Sequence, residues 1–168
     1  FFCFNPNQED FAYWCERPFP WRRQLDDLAA EPGSPACIAL TGGEPLLMAD
    51  EAVAFFSRAS ELFPAAHLRL YTSGDLLSRE LIDRLVRAGL HEIRFSVKQD
   101  DKPELLEKVL ERMAWAREQV PTVMVEMPVI PGTDSFMKEL LAKLDALGVD
   151  GVNLLEFAYA CLLYTSDA

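Results

Sequence analysis

Apolar residues recur along this chain with two different periods. Short runs rich in β-branched and aromatic residues begin near Ala36, His67, Glu92, Thr122 and Gly151, at intervals of about 30 residues. Between them, apolar positions fall at helical spacing. Ala52, Val53, Phe55, Phe56 and Ala59 form one stripe, and Leu77, Leu81 and Leu85 with Ile82 and Val86 form the next, closed by Gly89 as a C-terminal cap. Leu105, Leu106, Val109, Leu110 and Met113 make a third stripe. Phe136, Leu140, Leu141, Leu144 and Leu147 make a fourth, ended by Gly148. Strands alternating with helices at this interval predict βα units, a parallel sheet and right-handed crossovers.

In such sheets chemistry gathers at the carboxyl edge, where the strands end. The segments predicted to lie there are Gly42-Gly43-Glu44-Pro45, Thr72-Ser73-Gly74, Ser96-Val97-Lys98-Gln99, Ile130-Pro131-Gly132 and Glu156-Phe157. All are polar or glycine-rich. Period-two alternation puts Arg94, Ser96 and Lys98 on one strand face and Ile93, Phe95 and Val97 on the other. No G-x-G-x-x-G follows the first strand, which argues against a dinucleotide-binding fold.

The chain has 168 residues, half of them hydrophobic, enough for one domain with a sizeable core. Its net charge is −11 and it has no Lys/Arg cluster, so nucleic acid is not an expected partner. No apolar run reaches membrane-spanning length, and no membrane association is expected. The four cysteines, Cys3, Cys15, Cys37 and Cys161, lack paired spacing, which points to a reducing, cytoplasmic setting rather than a disulfide framework.

Both ends are unusual. The chain starts without Met in the run Phe1-Phe2-Cys3-Phe4. It closes on Cys161-Leu162-Leu163-Tyr164-Thr165-Ser166-Asp167-Ala168, which back-translates to a string resembling a transposon-end adapter from sequencing-library preparation. Residues 161–168 are therefore set aside as an artefact. Residues 1–160 are taken as one partial domain of a gene fragment cut at both ends.

The run Thr41-Gly42-Gly43-Glu44-Pro45 closes the first predicted strand. A Gly-Gly pair lets the backbone take positive φ and approach a ligand, and the following carboxylate can receive an ammonium group. Taken alone, it reads as a strand-ending turn. Its place in the chain changes that reading, because Phe2-Cys3 stands about one βα unit upstream.

Together these residues resemble the radical S-adenosylmethionine (radical SAM) superfamily. Phe2-Cys3 is similar to the end of that family's C-x3-C-x2-C motif, and Gly42-Gly43-Glu44-Pro45 to its G-G-E-P motif. The resemblance covers residues 1 to about 160 and implies a partial (βα)6 TIM-like barrel with parallel strands, truncated at strand one. With Cys3 as the third cysteine, the other two fall upstream of Phe1. The later strands resemble the branch that activates glycyl-radical enzymes such as pyruvate formate-lyase, through Val97-Lys98-Gln99 and Val129-Ile130-Pro131-Gly132. Two positions depart from that branch: Ser96 replaces an acidic residue, and Glu126 stands where the branch carries arginine.

The resemblance implies a [4Fe-4S] cluster and SAM as cofactors, with Cys3 as a cluster ligand. It implies Phe2 against adenine, Gly42, Gly43 and Pro45 in the loop at the methionine end of SAM, and Glu44 at its amino group. It further implies Lys98 at the carboxylate or ribose, Ser96 at the ribose and Ile130 packed on adenine. Each has a plain alternative: a buried thiol for Cys3, core for Phe2 and Ile130, a solvated lysine for Lys98. An electron donor such as flavodoxin or ferredoxin is implied. So is a hydrogen-donating substrate, of which a glycyl-radical enzyme is one candidate. As it stands, the chain is expected to be inert, with one cluster thiolate and both barrel edges lost.

Other residues carry less. His67 and His91 start their strands, on the edge tied to stability in such barrels, so two-histidine metal chemistry is not expected. Cys15 alone makes no second cluster. Tyr13, Trp14, Phe19 and Trp21 form an aromatic patch read as a small cover over the core. Two rival readings remain: a non-radical βα-barrel or flavodoxin-like protein binding an anionic ligand through Gly42-Gly43, and a non-catalytic βα scaffold presenting its loops to a partner.

Overall fold

The computed structural model describes residues 13–14, 17–18, 21–97 and 103–156. Its frame is a five-stranded parallel sheet whose strands lie side by side in chain order. These are β3 (Cys37–Leu40), β4 (His67–Thr72), β5 (Glu92–Ser96), β6 (Thr122–Val129) and β7 (Gly151–Glu156). Four of the five begin at the expected residue, and β3 begins one later. The connecting helices are α2 (Ala49–Leu62), α3 (Arg79–Arg87), α4 (Pro103–Arg117) and α5 (Asp134–Leu147). This is an arc of a (βα) barrel, as expected.

The two-residue period of the strands decides which face meets the helices. Leu68 and Leu70 of β4, Ile93 and Phe95 of β5, and Val123 and Val125 of β6 are fully buried. They pack against the helical stripes, including Phe56, Ile82, Met113 and Leu144. Burying each such side chain contributes about 1.5–3 kcal/mol, so this layer carries most of the stability. The opposite face, toward the inside of the arc, holds His67, Arg69, Tyr71, Glu92, Arg94 and Glu126. In α4 only Leu105 leaves the expected stripe, standing exposed.

The helix ends follow their sequence signals. Ser78 caps α3 by accepting from the Leu81 amide at 3.1 Å, and Gly148 closes α5 in the left-handed region. Leu77, expected in the α3 stripe, precedes the helix but is buried beneath it. Three features were not foreseen. A short antiparallel pair forms between β1 (Tyr13–Trp14) and β2 (Arg17–Pro18). Helix α1 (Trp21–Ala30) follows, burying one residue, Leu25, while Trp21 meets Phe55 edge-on at 5.6 Å. A 3₁₀ turn (Pro45–Met48) joins β3 to α2.

The turn after β4 is fixed by Gly74. Its φ is +85°, and an added Cβ would stand 2.7 Å from the Phe95 ring carbons Cδ1 and Cε1. Phe95 is fully buried and cannot retreat. Gly74→Ala is therefore expected to destabilise the protein by about 2–4 kcal/mol, through left-handed strain and overpacking. Urea denaturation checks this, and a loss under about 0.5 kcal/mol would show that the turn relaxes freely.

Candidate cofactor site

The carboxyl edge of the sheet brings the ends of β3 and β4 together. Beyond Leu40 the chain leaves the sheet as Thr41, Gly42 and Gly43, all exposed. Gly42 takes φ +140°, and a Cβ at either glycine would meet nothing within 4 Å. Open space lies over this backbone, so a ligand can come directly against it.

Glu44 is half-buried, and its carboxylate turns toward β4. Oε1 accepts from the Thr72 hydroxyl at 2.8 Å and from the Leu46 amide at 3.1 Å. Oε2 accepts from the Ser73 amide and lies 2.7 Å from the Ser73 hydroxyl. A carboxylate offers about four lone-pair sites, and this one faces four donor groups. The Leu46 contact also makes Glu44 the N-cap of the 3₁₀ turn, with Pro45 at its first position. Thr72 is buried; its oxygen also accepts from the Gly74 amide at 3.0 Å. Loop and strand end are thereby one hydrogen-bonded unit.

A cavity of about 210 Å³ flanks the loop, walled by Thr41, Gly43, Glu44 and Pro45 on one side and by Trp21 and Phe55 on the other. Trp21 is held there by an Nε1 hydrogen bond of 2.9 Å to Glu51. The neighbouring Arg22 also donates to Glu51, and these two hydrogen bonds lower the Glu51 pKa from its ordinary value.

Ser96 ends β5, exposed and paired in register with Glu126 of β6. Ile130 follows β6, half-buried; its carbonyl accepts from both the amide and hydroxyl of Thr133. Both therefore lie at the same edge as the glycine loop. Phe2, Cys3 and Lys98 fall outside the described residues, as do residues 157–168 and the side chains of Tyr13, Trp14 and Phe19.

Inside the arc, a line of charges that sequence reasoning missed crosses four strands. Glu92 faces His67 Nε2 at 2.6 Å, Arg69 Nε at 3.0 Å and Arg94 Nε at 2.5 Å. Arg94 also donates to Glu126 at 2.7 Å, and Asn153 donates to the same oxygen at 3.2 Å. Burial opposes the charge on Arg94, yet its hydrogen bonds to Glu92 and Glu126 outweigh that cost and raise its pKa. The two histidine rings stack at 5.5 Å, and His91 Nδ1 accepts from the Leu68 amide, so both serve the strand ends.

The cofactors implied by the motifs can be tested against these residues. An exposed glycine backbone beside a fixed carboxylate suits the ammonium end of an amino acid, so the loop fits SAM. Among the described residues no group of three or more His, Cys, Asp or Glu could hold a metal ion. Cys37 is the free cysteine described; it is exposed at the start of β3, the end of the strand away from the loop.

The chain belongs to the radical SAM superfamily, whose family model matches residues 2–144. Among its relatives is a protein of Methanocaldococcus jannaschii that bears the provisional name glycyl-radical enzyme activating enzyme. The two are 27% identical over 128 residues, covering 72% of this chain and 34% of the relative. Among solved structures, native anSMEcpe with bound AdoMet has a TM-score of 0.68 at 15% identity, covering 94% of this chain and 47% of that one. The same protein with AdoMet and the Cp18Cys peptide gives 0.65 at 16% identity, covering 82% and 42%. The chain thus spans less than half the length of these relatives. No helix among the described residues is long and apolar enough to cross a membrane.

Proposed function

We propose that the protein containing this chain is a radical SAM enzyme, and that the loop Gly42–Pro45 receives the methionine end of SAM. The observation that carries this reading is the loop's geometry. Two open glycines precede a carboxylate held by four donors at the carboxyl edge of a parallel sheet. Glu44 supplies a fixed negative charge for the ammonium group, and Gly42 and Gly43 let the backbone come close to it. Ser96, at the end of β5, contacts the ribose, and Lys98 the carboxylate or ribose. Ile130 and Phe2 pack on adenine.

Cys3 would be one of the thiolates that hold a [4Fe-4S] cluster. The chemistry that the cluster and SAM would supply when bound is reductive cleavage of the carbon–sulfonium bond, the source of a radical able to abstract a substrate hydrogen. A flavodoxin or ferredoxin delivers the electron, in the cytoplasm. The substrate class is a protein, in line with the name of the Methanocaldococcus relative and with the peptide bound in the anSMEcpe structure. A glycyl-radical enzyme is the leading candidate.

The test is anaerobic cluster reconstitution of the full-length gene product, reduction, and chromatography of the products. Methionine and 5′-deoxyadenosine are expected in equal amounts. A cluster-bearing protein that leaves SAM intact would overturn the reading.

A further inference from the structure

The Ser73 hydroxyl lies 2.7 Å from Glu44 Oε2 and 2.5 Å from Asp75 Oδ1. It carries one proton and so can donate to only one of two carboxylates. With both ionised, the other contact sets oxygen lone pairs against each other at hydrogen-bond distance. The group is one proton donor short. Thr72 has no such choice: it is buried, gives its only proton to Glu44 Oε1 and accepts from the Gly74 amide. An ammonium group brings three donors and no acceptor, which is what the deficit calls for.

We propose that Thr72 and Ser73 are the positioning residues of the Glu44 site. Thr72 fixes the carboxylate, and the Ser73 hydroxyl is the exchangeable donor that yields its place on Oε2 to the incoming ammonium group and turns to Asp75. The proposal rests on Gly42–Pro45 being the SAM loop. In the free protein Ser73 keeps the Glu44 carboxylate satisfied and oriented. On binding, Asp75 takes the displaced hydroxyl, so the ligand's gain at Glu44 is not offset by an orphaned donor on Ser73. The Ser73 amide, 2.7 Å from Oε2, stays in place throughout and holds the carboxylate plane.

The experiment measures equilibrium binding of SAM and of 5′-methylthioadenosine, which lacks the ammonium group, to the reconstituted full-length protein. Thr72→Val is expected to weaken SAM about tenfold or more, the size of one hydrogen bond to a charged group, with the thioadenosine unchanged. Thr72→Ser, which keeps the hydroxyl, restores SAM binding. Asp75→Ala weakens SAM about fivefold when Ser73 is present and about twofold or less when residue 73 is alanine, because the hydroxyl that needed a new acceptor is gone. Equal losses of both ligands in Thr72→Val would show a merely structural role and overturn the proposal. So would an Asp75→Ala effect independent of Ser73. Wild-type protein that binds thioadenosine but not SAM would overturn the proposed function instead.

Discussion

Cys3→Ala in the full-length gene product is expected to abolish both the cluster and the formation of 5′-deoxyadenosine, whereas Cys37→Ala changes neither. Cys37 is set apart from the glycine loop by its place along its strand. Cys37 begins β3, so the whole strand lies between it and the glycine loop that follows Leu40. A cluster that shares SAM with that loop cannot also reach Cys37. Cys3 lies inside the family match, which starts at residue 2, and Phe2-Cys3 resembles the end of the superfamily's cysteine motif. Thiolate ligation is what holds iron in such clusters, so losing one of three protein ligands removes the site rather than tuning it. Iron and sulfide content per chain, with the visible absorbance of the reconstituted protein, read the outcome without any activity assay. Full iron loading in Cys3→Ala would refute the ligand assignment. Loss of iron in Cys37→Ala would place the cluster at the wrong edge of the sheet and refute the site as a whole.

What could be read before the structure follows from the range of the interactions. Strand and helix positions depend on local periodicity, and Leu68, Leu70, Ile93 and Phe95 sit on the helix-facing side as alternation requires. Gly89 and Gly148 stop their helices because only a residue at ease with positive φ fits there. Helix α1 was missed although Trp21, Leu25, Leu28 and Ala29 fall at helical spacing, because Trp21 was grouped with the aromatic patch before it and the stripe spans barely two turns. The fourfold grip on Glu44 was missed for another reason. Thr72 and Ser73 are 28 and 29 residues away, and only the parallel pairing of β3 with β4 brings them alongside. The Thr72-Ser73-Gly74 triplet marked a strand end but held no hint of its acceptor. Ser96 was placed correctly at the carboxyl edge, yet its register neighbour Glu126 proved to be bound to Arg94 and Asn153. The arginine expected in the related branch would have put a third guanidinium into that line. The acidic residue neutralises it.

Glu92→Ala is expected to cost about 2–3 kcal/mol at neutral pH, the largest loss from any single charged residue among those described. Glu92 has only 6% of its side chain exposed and faces His67, Arg69 and Arg94 at once. Removing it leaves two guanidinium groups, 23% and 18% exposed, without their shared counter-ion. Burial by itself would raise the Glu92 pKa, but the hydrogen bonds from Arg94 and His67, with the Arg69 guanidinium paired beside them, outweigh it and hold it below the ordinary 4.5. A carboxylate whose pKa is lowered on folding stabilises the protein fully above its unfolded pKa. That contribution falls away as pH drops from about 4.5 through the lower, folded value. The wild type should therefore lose stability across that acidic window. Glu92→Gln, which keeps the shape without the charge, should be weaker at pH 7 and show a flatter dependence between pH 4.5 and the acid limit. Urea midpoints at several pH values measure both effects. Parallel profiles for wild type and Glu92→Gln would mean that Glu92 is already protonated in the native state, and the line of charges from His67 to Asn153 would then lose its central anion.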